Sequence, residues 1–283
     1  MKQLIKGLYN RKRLFNKINN LDIKSSGVDD EGDPFIQLVN GTIFFGGPNK
    51  SNTDSVLYKS LSRKTKSALK FECVQCATDI VIRYVEAALK YGGPKKERNY
   101  SVKHGDFVSE MGAYQGFCSI KLAQKTGPSG KVVAIEPMPD NFRLLKKNKE
   151  ANGLDHITIV NKGVWDSQKN LVFNRKVGDG QSSSIEMTYS AGEKIEVPAD
   201  TLDNIYSSVG LDHLDYIIIQ LNGAEINGLR GLNNFNPHNM SIAARYDTEN
   251  VDAALAIKDL LNTRGYTSEI VEEDFVFSRL NKV

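Results

Sequence analysis

From about residue 105 onward, short apolar runs alternate with stretches whose apolar positions recur every three or four residues. The runs at 106–110, 131–136, 157–161 and 215–221 read as strands. The β-branched run at 131–136 has the character of a strand buried on both faces of a parallel sheet. The intervening stretches predict helices over 117–125, 141–152, 201–208, 224–232 and 251–264, with Asp140 capping the second and Gly153 ending it. Strands at 171–175, 193–198 and around 241–246, then a hairpin over 266–279, complete the series. This alternation predicts an α/β fold, a doubly wound sheet with an antiparallel edge.

The first hundred residues follow another pattern. Leu4, Ile5, Leu8, Phe15 and Ile18 recur at helical spacing within a segment that has six Lys or Arg and no acid before Asp22. Such a basic amphipathic helix over residues 1–20 either makes peripheral contact with an anionic membrane or nucleic acid, or packs its apolar face on the domain. No block of like charges continues beyond it, which favours packing. Residues 25–34 read as a loop, 35–45 as a hairpin around Asn40-Gly41, and 55–69 and 78–91 as helices. The expected organisation is a cap or substrate segment over residues 1–100 and a larger domain over 101–283.

Composition changes this picture little: 283 residues, 40% hydrophobic and 25% charged, suffice for one large core or one core plus a smaller cap. A net charge of +3 excludes a polycation that binds nucleic acid through bulk electrostatics. Three cysteines make no disulfide framework, no apolar run approaches membrane-spanning length, and the basic amino terminus lacks the apolar core of a secretory signal. A cytoplasmic, reduced setting is expected. Cys73 and Cys76 form a single CxxC with neither a second pair nor a His at ligand spacing, so no metal site is expected and two half-buried thiols are.

The chemistry concentrates in residues 105–136, a strand, a glycine turn, a helix, a second turn and a second strand ending on Glu136. In Gly112-Ala113-Tyr114-Gln115-Gly116, two glycines allow a sharp turn and leave room for a ligand against the new helix. About 20 residues separate that turn from Glu136, the spacing that places a carboxylate on the ribose of an adenosine ligand. A dinucleotide site needs a second glycine where Tyr114 stands, so a ligand without phosphates suits the turn better. S-adenosylmethionine fits, with Glu110 beside the turn as a partner for its ammonium group. An ordinary βαβ unit with a solvated Glu136 fits the same pattern. Asp166 is placed either to accept a hydrogen bond from an adenine amino group or as a turn residue before Ser167, and Trp165 reads as core.

Five segments together, EMGAYQGF, VVAIEPMPDNFRLLKKN, ITIVNKGVWD, IEVPADTLDNI and IIIQLNGAEINGLRGL, carry a family resemblance. In order and spacing, the last two thirds of the chain resemble the FkbM family of S-adenosylmethionine-dependent methyltransferases. The resemblance implies a doubly wound, seven-stranded Rossmann-like methyltransferase sheet with an antiparallel last strand, behind a helix-rich amino-terminal cap. By position it places Glu110, Gly112, Ala113 and Gly116 in the methionine-side turn, Glu136 on the ribose, Pro137 and Met138 along the adenine, and Gly163, Val164 and Asp166 beside the ring.

Two departures stand out. Glu110 occupies a position where Asp is usual, and the family's strand-end acidic pair, in K-x-D-x-E-G-A-E, is here Gln220 and Asn222, while Gly223, Ala224 and Glu225 remain. Methyl transfer from a sulfonium is an in-line displacement with a neutral leaving group, so the protein mainly aligns donor and acceptor and excludes water. A hydroxyl acceptor also has a proton to lose, which an amide does not take near neutral pH. Three readings fit the sequence. The acceptor is acidic or already nucleophilic; or another base such as Asp247, Glu225 or Tyr246 serves; or the protein binds the cofactor without catalysis. Gln220 and Asn222 then orient an acceptor by hydrogen bonds, or act as a strand-end residue and a helix cap. The leading expectation is O-methylation of a small-molecule or sugar acceptor. The alternatives are a catalytically silent binding or scaffold protein and an RNA methyltransferase, the last weakened by the absence of an N-P-P-Y-type motif.

Overall fold

The computed structural model describes residues 22–46, 100–175, 193–244, 252–271 and 275–281. The basic segment 1–20, Cys73, Cys76, the helices expected within 55–91, Tyr246 and Asp247 lie outside them.

The described chain begins with an antiparallel meander of β1 (Ile23–Val28), β2 (Pro34–Leu38) and β3 (Ile43–Phe45). A loop was expected over 25–34. Instead Ser25, Ser26 and Gly27 pair with Gln37, Ile36 and Phe35, because β2 supplies the hydrogen-bonding edge that their weak strand propensity hides. The described part of the expected helix-rich cap is therefore β-structure. Ile36 and Phe44 are fully buried in the same core as Val108, Phe117 and Ile218, so the meander and the following domain share one core.

The main body runs β4 (Phe107–Met111), α1 (Phe117–Thr126), β5 (Lys131–Ile135), α2 (Pro139–Ala151) and β6 (Ile157–Val160). It continues with β7 (Gly163–Val164), β8 (Lys169–Arg175), β9 (Glu193–Asp200), α3 (Leu202–Ser208), β10 (Tyr216–Ile219) and α4 (Glu225–Arg230). It ends with β11 (Asn239–Ala243), α5 (Ala253–Thr263), β12 (Tyr266–Val271) and β13 (Phe275–Leu280). Seven strands form one sheet in the order β12-β13-β11-β10-β4-β5-β6, and β7, β9 and β8 form a small separate sheet. β13 pairs antiparallel with both β11 and β12. The last strand is thus antiparallel, as expected, and lies one place in from the edge, with β12 outside it.

Alternate residues of the central strands feed two cores, as a pleat with period two requires. Val132, Ala134, Tyr216 and Ile218 meet Ile120 and Ala123 of α1 and Leu145 of α2 on one face. Val133, Ile135, Ile217 and Ile219 meet Ile205 of α3, Leu229 of α4 and Ile257 and Leu261 of α5 on the other. The doubly wound expectation is met. Local chemistry sets the helix starts: Thr201 Oγ1 accepts from Asn204 N at 3.2 Å, and Asp252 Oδ1 from Leu255 N at 3.0 Å. Asp140 is not the cap of α2. That helix begins two residues before the expected start, with Pro139 at its first position and Met138 as N-cap, because proline has the helical φ and lacks the N–H that a first turn leaves unpaired. No described helix is long and apolar enough to cross a membrane.

Candidate active site at the carboxyl ends of the strands

β4, β5, β6 and β10 run parallel, so their carboxyl ends share one edge of the sheet. After β4 the chain enters the glycine turn, where Gly112 N and Ala113 N both donate to Ile135 O at 3.0 Å. Gly112 has φ 76°, and a Cβ there would lie 2.1 Å from the carbonyl oxygen of Gln220. The turns after β4 and β10 therefore touch through backbone, which only a glycine permits. Gly116, φ 85°, begins α1 with its α-carbon against Leu145, which a Cβ would approach to 2.5 Å.

Glu136 ends β5 and is buried. Its Oε2 accepts from Tyr114 N at 2.8 Å; its Oε1 accepts from Met138 N at 3.0 Å and from Asn141 Nδ2 at 3.3 Å. One carboxylate thus ties the glycine turn to the start of α2. With about two acceptor directions per oxygen, Oε2 keeps one for a ligand hydroxyl, and Oε1 gains one if Asn141 turns aside. This donor and acceptor set fits the ribose of an adenosine ligand. Asn161 Nδ2 braces the same corner by donating to Glu136 O at 2.9 Å and to Pro137 O at 3.0 Å. Sequence reasoning missed Asn141 and Asn161; their signal is position alone, one in the first turn of the helix after β5 and the other directly after β6.

Burial pushes the Glu136 carboxyl above its ordinary value of 4.5, outweighing the lowering effect of its three hydrogen bonds. A group whose folded value is raised contributes stability that is fully present below its unfolded value and is lost as pH rises through the folded one. Stability should therefore fall, on this group's account, as pH rises from about 4.5, and Glu136→Gln should flatten that fall. Urea denaturation across about pH 4 to 8 measures it; an unchanged pH slope in the variant contradicts the assignment.

Glu110 is buried at the end of β4 and accepts from Ser119 Oγ at 2.5 Å. At β10, Gln220 N donates to Met111 O at 3.0 Å, and both Gln220 and Asn222 are half-buried. Asn222 has φ 51° and Tyr114 φ 54°; they are the two non-glycine residues with positive φ among the described residues. Both lie on the pair of turns that meet at this edge, and such backbone strain, on the order of 1–3 kcal/mol each, tends to collect at functional sites. Glu225 is buried and bonded to the β10 turn. Its Oε1 accepts from Leu221 N and its Oε2 from Gly223 N, each at 2.9 Å, so the carboxylate clamps the turn that carries Asn222. Burial raises its carboxyl as well.

The remaining expected residues are more dispersed. Met138 is buried in a satellite core with Leu171, Phe173, Val197 and Ala199, against which Trp165 packs. Gly163 and Val164 are buried in β7, beside Ala199 and Asp200 of β9. Asp166 is exposed and accepts from Ser167 Oγ at 2.9 Å, as a turn residue does. Residues 198–203 serve the frame: Asp200 accepts from Lys162 Nζ at 2.9 Å, Asn204 Nδ2 at 2.8 Å and Thr201 N at 2.9 Å. Burial raises the Asp200 carboxyl, but these bonds prevail and hold it below the usual range. Asp203 accepts from Asn233 N and Asn234 N.

No curated protein matches the chain. Among solved structures it is similar to Aeropyrum pernix fibrillarin in complex with natively bound S-adenosyl-L-methionine, at 12% identity and a TM-score of 0.43, covering 91% of this chain and 99% of that one. It is also similar to the methyltransferase FkbM of Methylobacillus flagellatus KT, at 14% identity and a TM-score of 0.41, covering 71% of this chain and 54% of that one. A SAM-dependent methyltransferase from Aquifex aeolicus matches at 13% identity with a TM-score of 0.40, covering 69% and 93%. The methyltransferase FkbM domain matches residues 110–268. That region is more than half of the chain, and the protein belongs to the FkbM methyltransferase family, whose methyl donor is S-adenosylmethionine.

Proposed function

We propose that the carboxyl edge of the sheet binds S-adenosylmethionine and methylates an oxygen of a small-molecule or sugar acceptor. The observation that carries this reading is the meeting of the glycine turn, Glu136 and the β10 turn at one edge, joined by the Tyr114–Glu136 bond and the Gly112–Gln220 approach. Bound there, the cofactor supplies an electrophilic methyl group on a sulfonium. Glu136 holds the ribose, Gly112, Ala113 and Gly116 give the amino-acid end access to the turn, and Glu110 faces its ammonium. Pro137 and Met138 border the adenine from the α2 side, and Gly163 and Val164 from β7 with Asp166 from the turn after it. Gln220 and Asn222 orient the acceptor through their amides, and Asp247 takes its proton. The domain over residues 101–283 carries this site, and residues 1–100 contribute the acceptor side.

A second reading, cofactor binding without catalysis, is favoured by one specific observation. The amides Gln220 and Asn222 stand where the family has acids, and Glu110, Glu136, Asp200 and Glu225 all hold internal donors. Release of S-adenosylhomocysteine in the presence of a panel of hydroxylated acids, phenols and sugars tests the two. Turnover with at least one acceptor, reduced at least about tenfold by Asp247→Asn, is the expected result. Cofactor binding with no turnover across the panel supports the silent reading.

A further inference from the structure

Helix α2 carries Asn148 and ends on Asn152 as its C-cap, one turn further on, and the side-chain amides of both meet the backbone of β3. The geometry of the two elements makes this match. Side chains four residues apart on a helix are about 6 Å apart along it, and backbone groups two residues apart on a strand recur every roughly 6.6 Å. Asn152 accepts from Ile43 N at 2.9 Å and donates to Ile43 O at 2.7 Å. Asn148 accepts from Phe45 N at 2.6 Å and donates to Phe45 O at 2.9 Å. Each amide thus imitates one rung of a neighbouring strand along the edge of β3 opposite β2.

The two asparagines differ in their remaining hydrogen. Asn152 donates it to Asn148 O at 2.7 Å, at the end of the helix. Asn148 donates it to Gln115 O at 2.8 Å, in the middle of the glycine turn, and is itself fully buried. A planar trans peptide points its C=O and N–H in opposite directions. Fixing the Gln115 carbonyl therefore fixes the Gly116 N–H, which donates to Ala113 O at 2.9 Å and closes the turn. Gly116 at φ 85° has no Cβ to resist rotation of that peptide, so the Asn148 bond adds, from outside the turn, a second restraint to the one that Ala113 O supplies.

We propose that Asn148 is a positioning residue for the cofactor turn, through which strand β3 sets cofactor affinity; this rests on the cofactor reading above. Asn148 and Asn152 make the same pair of bonds to β3, and Asn148 alone of the two reaches the turn, so Asn152→Ala is the internal control. Calorimetric titration with S-adenosylhomocysteine should show affinity weakened about tenfold in Asn148→Ala and less than about twofold in Asn152→Ala, although both lose similar stability in urea. Amide exchange at Gly116 should quicken in the first variant and stay unchanged in the second, a readout that general loosening of β3 would not separate. Equal affinities in the two variants, or unchanged Gly116 exchange in Asn148→Ala, overturn the proposal. Absence of binding by the unaltered protein overturns the cofactor reading itself, and shows before any substitution. If Asn148→Ala does not fold, Asn148→Asp gives the same comparison, since it is isosteric, keeps the acceptor for Phe45 N and loses both donors.

Discussion

Gly112→Ala is expected to abolish measurable cofactor binding and to lower stability by about 3 kcal/mol. Two costs combine. A φ of 76° costs an L-residue roughly 1–2 kcal/mol relative to glycine. The new methyl group would also stand 2.1 Å from the Gln220 carbonyl oxygen, far inside contact distance. That oxygen belongs to backbone, and the adjoining Gln220 N is bonded to Met111 O at 3.0 Å, so no side-chain rotation relieves the overlap. The turns after β4 and β10 must separate, and the cofactor edge opens. Urea denaturation and titration with S-adenosylhomocysteine measure the two effects; a variant that keeps both stability and affinity shows that the turns do not meet as described.

The second large effect is expected at Glu225→Ala, with a stability loss of about 2–3 kcal/mol. Its carboxylate accepts from two backbone N–H groups of the β10 turn, and alanine leaves both without that partner. The loss is less than the sum of two charge-assisted bonds, because removing the carboxylate also removes the cost of burying it. The local consequence is specific. Asn222 at φ 51° is held in a strained conformation between the two clamped amides, so amide exchange at Leu221 and Gly223 should quicken well before global unfolding. Exchange that tracks only the global transition would show that Glu225 is an ordinary first-turn residue.

Much of the fold is legible in the residues because it is local. The apolar runs that became β5 and β10 and the glycine turn carry their own signals, as do the helical stretches of α1 and α5. The glycine spacing also brought Gly112, Gly116 and Glu136 to one edge, as expected from strand ends alone. What stayed hidden depends on contacts across the chain. β1 has polar and glycine residues, and only the edge of β2 makes it a strand. The place of β13 follows from whether a closing hairpin adds to the sheet or inserts into it, which neither of its strands encodes locally. Asn148 reads as one polar residue in a lysine-rich helix until β3, 103 residues away, and Gln115 come against it. Glu225 reads as a first-turn acid, a common preference, and its clamp on Leu221 and Gly223 needs the folded turn to be seen.

The measurement closest to the central claim is calorimetric titration of the protein with S-adenosylmethionine and S-adenosylhomocysteine, alongside Glu136→Ala. Saturable binding with a dissociation constant of roughly micromolar order is predicted, weakened at least about tenfold by the substitution, the 1.4 kcal/mol or more expected of a lost charged hydrogen bond. No saturable binding by the folded, unaltered protein would contradict the account, leaving the methyltransferase fold without its cofactor site.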